Sequence, residues 1–278
     1  MHYFSKKAIQ SLFKQHKVFP KKRLGQNFLI DKKILKKIIK AAGIGREDVI
    51  LEIGPGIGSL TQELVRNAKN VIAVEKDIKM VEILKEATKN LKNVTIIQND
   101  ILKIDLKNYK LKAKSYKVVA NLPYYIVSPV IRKFLESGYP PRLMVLMVQK
   151  EVAQRIVARP PNMSLLAVSV QFYAKAEIIS YVSKKSFWPQ PKVDSAIIKI
   201  TPRKLSTSPR LVKLFFKTVR AGFSQPRKQI INNLSYVLKI KREKAENWLL
   251  KNKIQPNQRA ETLKLKDWSR LANTFDVA

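Results

Sequence analysis

Val49-Ile50-Leu51-Glu52-Ile53-Gly54-Pro55-Gly56-Ile57-Gly58-Ser59-Leu60-Thr61 reads as a buried strand, a glycine loop and the first turn of a helix. The glycines let the chain reverse sharply and bring its backbone against a ligand with no Cβ in the way. Working outward, the same alternation repeats. Apolar runs at Val71–Glu75, Val94–Ile97, Lys117–Ala120 and Leu143–Val148 predict strands. Helical periodicity falls between them near Leu60–Arg66, Ile78–Asn90, Val130–Leu135 and Glu151–Ala158. Strands apolar on both faces, alternating with helices, predict an α/β fold with a mostly parallel, Rossmann-like sheet. Ahead of the first strand, Ile34-Leu35, Ile38-Ile39 and Ala42 follow Asp31 as N-cap and predict a helix ending near Gly43. A helix at Leu165–Tyr173 comes next. Runs at Ile178–Val182 and Ala196–Ile200 then close the sheet as an antiparallel pair. Beyond the Pro-, Ser- and Lys-rich linker Thr201–Pro209, helical runs at Leu211–Val219, Lys228–Leu238, Arg242–Leu250 and Trp268–Ala272 predict a small all-helical domain. The expected division is a basic N-terminal tail over 1–30, an α/β domain over 31–203 and a helical domain over 204–278.

Acids at the carboxyl ends of the strands narrow the ligand. Glu75 lies about 20 residues past the loop, where a carboxylate reaches both hydroxyls of an adenosine ribose. On that evidence NAD and S-adenosylmethionine are equally served. Asp100 ends the third strand on the same edge, placed to accept a hydrogen bond from an adenine amino group. Glu52 directly precedes the loop, where a pyrophosphate would meet unwanted negative charge. Two acids after successive strands, with Glu52, favour S-adenosylmethionine over a dinucleotide, although a plain strand-to-helix turn and a strand-end cap remain open for each element taken singly.

Asn121-Leu122-Pro123-Tyr124-Tyr125 follows the fourth long strand and precedes Ser128-Pro129, a helix start with Ser as N-cap and Pro at the first helical position. The Asn121 amide oxygen can accept a hydrogen bond, Pro123 keeps Leu122 extended, and Tyr124 presents a flat face. Such a set grips an exocyclic amino group on a planar base; the alternative is a turn with a buried tyrosine.

Charge points to the partner. The chain of 278 residues carries 55 Lys and Arg against 20 Asp and Glu, a formal charge of +35. A Lys-rich proteome would spread such an excess evenly. Residues 1–46 instead hold 13 basic residues and one acid, Asp31, so a nucleic-acid-binding face is expected. No apolar run is long enough for a membrane span. With no Cys and only His2 and His16, thiolate chemistry, a His-based metal site and a Ser-His-Asp triad are not expected, so no metal is assigned. Neither His has an evident carboxylate neighbour. Lys6–Arg23 reads as an RNA-contacting tail, a transit peptide being the weaker option.

Five segments together resemble the small-subunit ribosomal RNA adenine N6,N6-dimethyltransferase family, and more distantly the macrolide-resistance methyltransferases of large-subunit RNA. They are Gly25-Gln26-Asn27-Phe28-Leu29, Glu52 through Thr61, Asn121-Leu122-Pro123-Tyr124, Gln149-Lys150-Glu151-Val152-Ala153-Gln154-Arg155 and Pro191-Lys192-Val193-Asp194-Ser195. The resemblance implies a class I methyltransferase fold, S-adenosylmethionine as methyl donor, and two adjacent adenosines of the 3′-terminal hairpin of small-subunit rRNA as substrate. It also implies action within an assembling subunit in the cytoplasm; a monomer is expected. Carried over, Asn27 and Leu29 line the methionine end, Gly54 and Gly56 underlie the cofactor, Glu75 holds the ribose and Asp100 the adenine. Asn121 serves cofactor and target base, Leu122 offers its carbonyl, and Tyr124 and Phe187 are the stacking aromatics. RNA contacts are expected from Lys21, Lys22, Arg23, the Lys32–Lys40 helix, Arg220, Arg227 and Lys228, with Phe223 beside the last three. The chain departs from the commonest pattern at Tyr125, Val127 and Trp188. It also carries Lys76 after Glu75, with its side chain expected to point outward. A non-catalytic assembly factor, a large-subunit methyltransferase and, distantly, a dehydrogenase are the competing readings.

Overall fold

The computed structural model describes residues 5–109 and 111–275, so His2 lies outside the described residues. In chain order the strands are β1 Phe28–Leu29, β2 Val49–Ile53, β3 Asn70–Glu75, β4 Val94–Gln98, β5 Tyr116–Asn121, β6 Leu143–Gln149, β7 Ala174–Val182, β8 Phe187–Trp188 and β9 Ser195–Pro202. The helices are α1 Lys6–Gln15, α2 Lys32–Ala42, α3 Ser59–Asn67, α4 Ile78–Thr88, α5 Val127–Leu135, α6 Lys150–Val157, α7 Leu165–Tyr173, α8 Pro209–Gly222, α9 Ile230–Leu238, α10 Arg242–Lys251 and α11 Leu265–Asn273. Two compact units result. One comprises the chain up to Ala153 together with Lys175–Pro202, the other Gln154–Ala174 together with Arg203 onward. The expected boundary near 203 therefore holds only in part: α7 packs with the C-terminal helices, because Ala167 and Val168 share a core with Phe215, Phe216 and Trp268.

The first unit is built on a seven-stranded sheet of order β4-β3-β2-β5-β6-β9-β7. Pairings from β4 through β6 are parallel, as each connection passes through helical or irregular crossover chain. Strand β9 runs antiparallel to β6 and inserts between β6 and β7. On one sheet face Ile50, Val71, Val119, Val145 and Ile197 meet Ile34, Leu35 and Ile38 of α2 and Leu60 and Leu64 of α3. Burying the three large α2 side chains contributes about 1.5–3 kcal/mol each. Asp31 caps α2 by accepting from the Lys33 amide at 2.9 Å, and Gly43 ends it in the left-handed region at φ 52°. The other face is equally dry, with Leu51, Val118, Met144 and Ile198 buried. One cation enters this core: Lys117, in β5, sends its ammonium to the Gly43 carbonyl at 2.6 Å and to Asp48 at 2.8 Å.

The N-terminal stretch is not the tail expected from its charge. Its helix α1 buries Ile9, Leu12 and Phe13 against Phe28, Ile57, Met80 and Ile83, an apolar stripe at 3–4 spacing hidden among lysines. His16, expected to lack a carboxylate neighbour, lies 3.2 Å from Glu86. The second unit is all helical, α8 to α11 and α7 closing around Phe215, Val219, Leu234, Leu249, Trp268 and Leu271.

Candidate active site

Strand order reverses between β2 and β5, and a cleft opens at the carboxyl ends of β2, β3, β4 and β5, the usual ligand crevice of such sheets. It is lined by Asn27 and Leu29 from the β1 segment, Gly54 and Gly56, Glu52, Glu75, Asp100, and Asn121 through Ile126. Of the residues singled out in the sequence for cofactor and base, all but Phe187 therefore border one cavity.

The loop after β2 is held by its own backbone. Gly54 donates to the Val74 carbonyl at 2.9 Å, which keeps the turn over the sheet edge. Gly56 has φ 56°, a strained conformation for any L side chain, and a Cβ there would lie 3.0 Å from the Phe28 ring, which would have to give way. Its amide donates to Glu75 Oε2 at 3.1 Å, while the amides of Lys76 and Asp77 donate to Oε1 at 2.8 Å each. Burial raises the Glu75 carboxyl above its ordinary value; these three amides partly offset that, and the Asp77 charge adds to it. Glu52, only 1% exposed, is pushed up to about 8 by burial, with the Thr61 hydroxyl partly offsetting this and the Glu75 charge adding a smaller upward push. Its buried Oε2 has no hydrogen-bond partner among the described residues.

Asp100 is turned into the cleft but is not free. Lys76, expected to point away, bends back and places its ammonium 2.9 Å from Asp100 Oδ2. Burial would raise the Asp100 carboxyl, but the Lys76 hydrogen bond, the Leu102 amide and the neighbouring lysine charges hold it below the usual range. The physical reason is that Lys76 and Asp100 follow the ends of adjacent parallel strands, where Glu75 is level with Gln98, so the four-carbon stem spans the gap.

Beyond β5, Asn121 is pinned. Its Nδ2 donates to the Asn27 carbonyl at 3.0 Å, which aligns the amide and leaves Oδ1 without a hydrogen bond among the described residues. The Tyr124 hydroxyl lies 3.0 Å from Ser195 Oγ, and burial raises its pKa. Residues Tyr124–Ile126 form a 3₁₀ turn and α5 starts at Val127, so Ser128 lies inside the helix instead of capping it. The turn has already tightened the chain, the Ile126 amide bonding the Pro123 carbonyl at 3.1 Å.

Phe187 is the exception. It pairs with Leu29 across the β1–β8 ribbon, its ring is 3% exposed, and it packs in the core with Ile34, Val182 and Ile197. Strand alternation sends its neighbour Trp188 the other way, to within 5.8 Å of the Phe13 ring. The aromatic that does line the cleft from this side is Phe28, within the quoted Gly25–Leu29 segment but not singled out there.

A further group was not picked out from the sequence. Asp77 receives Lys21 Nζ at 2.9 Å, Gln26 Nε2 at 2.9 Å and the Lys79 amide at 3.2 Å, while Gln26 Oε1 accepts from the Lys21 amide at 2.7 Å. This clamp ties the loop carrying Asn27 to the end of the strand carrying Glu75. Lys21, expected as an RNA contact, directs its ammonium to a nearly inaccessible carboxylate. Lys22 and Arg23 are exposed and make no ion pair among the described residues, as do Arg220, Arg227 and Lys228 in the second unit. Phe223 turns inward onto Trp268, ring centroids 5.5 Å apart, so it does not sit with those three. No group of three or more metal-ligating His, Cys, Asp or Glu occurs among the described residues, and no described helix is long and apolar enough to cross a membrane.

Comparison with known proteins agrees with this geometry. Residues 19–276 match the family model described as ribosomal RNA adenine dimethylase. The chain is 44% identical over 252 residues to ribosomal RNA small subunit methyltransferase A of Dehalococcoides mccartyi, covering 90% of this chain and 87% of that one. Against the protein of the same name from Geobacillus thermodenitrificans the identity is 45% over 269 residues, with coverages of 92% and 90%. Among solved structures, a dimethyladenosine transferase from Plasmodium falciparum superposes with a TM-score of 0.73 at 30% identity, covering 88% of this chain and 95% of that one. The 23S rRNA methyltransferase ErmE gives 0.71 at 25% identity, with coverages of 89% and 98%. On the family match, these identities and a shared class I methyltransferase fold, the chain belongs to the ribosomal RNA adenine dimethylase family.

Proposed function

We propose that this chain transfers methyl groups from S-adenosylmethionine to N6 of two adjacent adenosines in the 3′-terminal hairpin of small-subunit rRNA, acting as a cytoplasmic monomer on an assembling subunit. The observation that carries this reading is the Asn121 amide: one of its N–H groups is engaged by the Asn27 carbonyl, which fixes the side chain's orientation and leaves Oδ1 as an acceptor for an incoming amine. The cleft also fits the cofactor. Glu52, Glu75 and Asp100 put three carboxyl groups along the cleft, Glu52 with a buried oxygen that has no partner among the described residues, and a cationic ligand would favour their ionised forms; at Gly56 the missing Cβ lets the backbone approach a ligand closely.

When bound, S-adenosylmethionine supplies a methyl group activated by its sulfonium. Glu75 would take a ribose hydroxyl on the acceptor site left at Oε2, which accepts one amide where Oε1 accepts two, Asp100 the adenine amino group, and Asn27 and Leu29 the methionine end. For the target base, Tyr124 supplies a stacking face whose tilt is held by Ser195, worth about 1–3 kcal/mol. The N6 lone pair is delocalised into the ring, so the enzyme must localise it. Asn121 Oδ1 and the Leu122 carbonyl accept the two N–H groups and favour a pyramidal nitrogen. As the N–C bond forms and the S–C bond breaks, nitrogen becomes cationic and releases its proton to water, so no strong base is needed and positioning supplies most of the rate. Exposed Lys22, Arg23, Arg220, Arg227 and Lys228 would meet RNA phosphates.

The test is transfer of labelled methyl to small-subunit particles lacking the modification, with large subunits as control. Label recovered as N6,N6-dimethyladenosine on the small subunit alone supports the proposal. Label on the large subunit favours the resistance-type activity, and tight particle binding without label favours an assembly factor.

A further inference from the structure

Beside the cleft lies a second hollow, lined among others by Arg23, Leu24, Lys76 and Tyr125. Leu24, Lys76 and Tyr125 border both cavities, so the two open at a common rim. Tyr125 follows Tyr124 in the same 3₁₀ turn but faces outward, 55% exposed, and its hydroxyl makes no hydrogen bond among the described residues. Arg23 is exposed and makes no ion pair among them. Lys21, also at this hollow, is held by Asp77 and adds no free charge. Lys76 is held by Asp100, the acid to which the cofactor's adenine is assigned above.

We propose that Tyr125, Arg23 and Lys76 form a subsite for the nucleotide adjoining the target adenosine: its base stacks on Tyr125 and its phosphate lies between the two cations. This inference rests on the function proposed above. An exposed aromatic flanked by cations, here the unpaired Arg23 and the Asp100-bound Lys76, is the recurring combination for single-stranded nucleic acid, because every base has a stacking face and every nucleotide a negative phosphate. Its place at the rim matters. With one adenosine turned into the cleft against Tyr124, the next nucleotide leaves at Tyr125, one residue along the same turn. The Lys76–Asp100 pair adds an order of events. An adenine amino group donating to Asp100 takes over the acceptor that Lys76 occupies, and the released ammonium, at the border of both cavities, becomes available to phosphate. Cofactor binding would thus strengthen RNA binding, and by linkage the reverse holds equally.

The experiment is fluorescence anisotropy with a short RNA hairpin bearing two adjacent loop adenosines, and the same hairpin made abasic at the nucleotide beside them. Tyr125→Ala is expected to weaken binding of the intact hairpin about 5- to 150-fold, the range for loss of one stacked base. Tyr125→Phe restores it. The abasic hairpin binds wild type more weakly, but gains or loses nothing further with Tyr125→Ala, since both changes remove one contact. Arg23→Ala reduces the slope of log affinity against log salt by about 0.7, one phosphate contact to a single strand. S-adenosylhomocysteine tightens hairpin binding by wild type and not by Lys76→Met. Absence of hairpin binding by wild type, wild-type affinity in Tyr125→Ala, or full additivity of that change with the abasic site would overturn the subsite. A failure of the proposed function shows elsewhere, as lack of methyl transfer by the wild-type protein to small-subunit particles.

Discussion

Glu52 makes the cleft sensitive to pH, and the size of the effect follows from its surroundings. The carboxyl is 1% exposed, has an oxygen without a partner, and titrates near 8 in place of 4.5. An acid whose folded pKa is raised binds its proton more tightly in the folded than in the unfolded chain. Folding is therefore unpenalised below about pH 4.5, loses stability as pH rises from there, and levels off above about pH 8. At pH 7 the gap from the ordinary value is two and a half units, and at about 1.4 kcal/mol per unit the penalty is on the order of 3 kcal/mol. Glu52→Gln removes the titration while keeping the shape. Urea unfolding of both proteins at pH 5, 7 and 8.5 is expected to show the variant gaining on wild type by about 2–3 kcal/mol between the first two points and by about 1 kcal/mol more at the third. The cofactor supplies the second arm of the assay. A ligand carrying an ammonium and a sulfonium favours the ionised carboxylate, so at pH 7 binding should release up to about nine-tenths of a proton from Glu52. Calorimetric titration in two buffers of different ionisation heat reads that proton directly, and Glu52→Gln should abolish the buffer dependence. A stability difference that stays constant with pH, together with heats of binding that do not depend on buffer in wild type, would refute the reasoning.

Asn121→Ala should lower methyl transfer at least 10²-fold while costing only about 0.5–1.5 kcal/mol in urea unfolding, because the one internal bond lost is that of Nδ2 to the Asn27 carbonyl; near-normal turnover would exclude the amide as acceptor. Asp77→Ala removes an N-cap and strands Lys21 and Gln26, and with Lys21 partly solvated the expected loss is about 2–4 kcal/mol at pH 7. Burial would raise the Asp77 carboxyl, but Lys21, Gln26 and the Lys79 amide outweigh it and hold it low. Its contribution is therefore complete above about pH 4 and vanishes as pH falls through the folded value, which acid unfolding of wild type and Asp77→Asn would show as converging curves. Gly56→Ala forces a left-handed residue and a 3.0 Å approach to Phe28, itself packed on Phe13; S-adenosylhomocysteine affinity, measured calorimetrically, should fall at least tenfold, and wild-type affinity would show that the loop can shift.

The legible parts of this molecule are those in which neighbours in sequence settle the outcome. Val49–Ile53 is apolar except at Glu52 because it is covered on both faces, and a glycine loop after such a strand has few other uses. Asp31 and Gly43 bound α2 by local hydrogen bonding and a left-handed residue. The cleft residues were legible for the same reason: Gly54, Glu75, Asp100 and Asn121 each end a strand, and parallel strands bring their ends to one edge. What stayed hidden depends on long-range partners. Periodicity says nothing of lateral order, so β9 between β6 and β7 could not be read. In α1 the stripe Ile9, Leu12, Phe13 was visible, but the surrounding lysines suggested a solvated tail, and only Phe28, Ile57, Met80 and Ile83 show what it covers. Phe187 was placed by its motif; its direction is set by pairing with Leu29. Lys76 was directed outward as an isolated strand-end lysine, yet its partner stands at position 100.

Those long-range contacts join parts of the site that sequence reading treated separately. Glu75 accepts from the amides of Gly56, Lys76 and Asp77, so one carboxylate ties the glycine loop to the start of α4. Asp77 in turn grips Gln26 and Lys21, and so carries the loop of Asn27, whose carbonyl aligns Asn121. A displacement of any one member shifts the hydrogen bonds of the next, from the ribose acid to the amide that meets the target base. Helix α1 packs over Phe28 and Ile57, on two sections of that chain of contacts at once. The basic N-terminus therefore has a mechanical role independent of its charge: Phe28 is both the ring that crowds any Cβ at Gly56 and part of the surface on which α1 rests. Removing lysines from α1 should weaken RNA attraction and leave the cleft intact, whereas removing its apolar stripe should loosen the glycine loop even where every cation is kept.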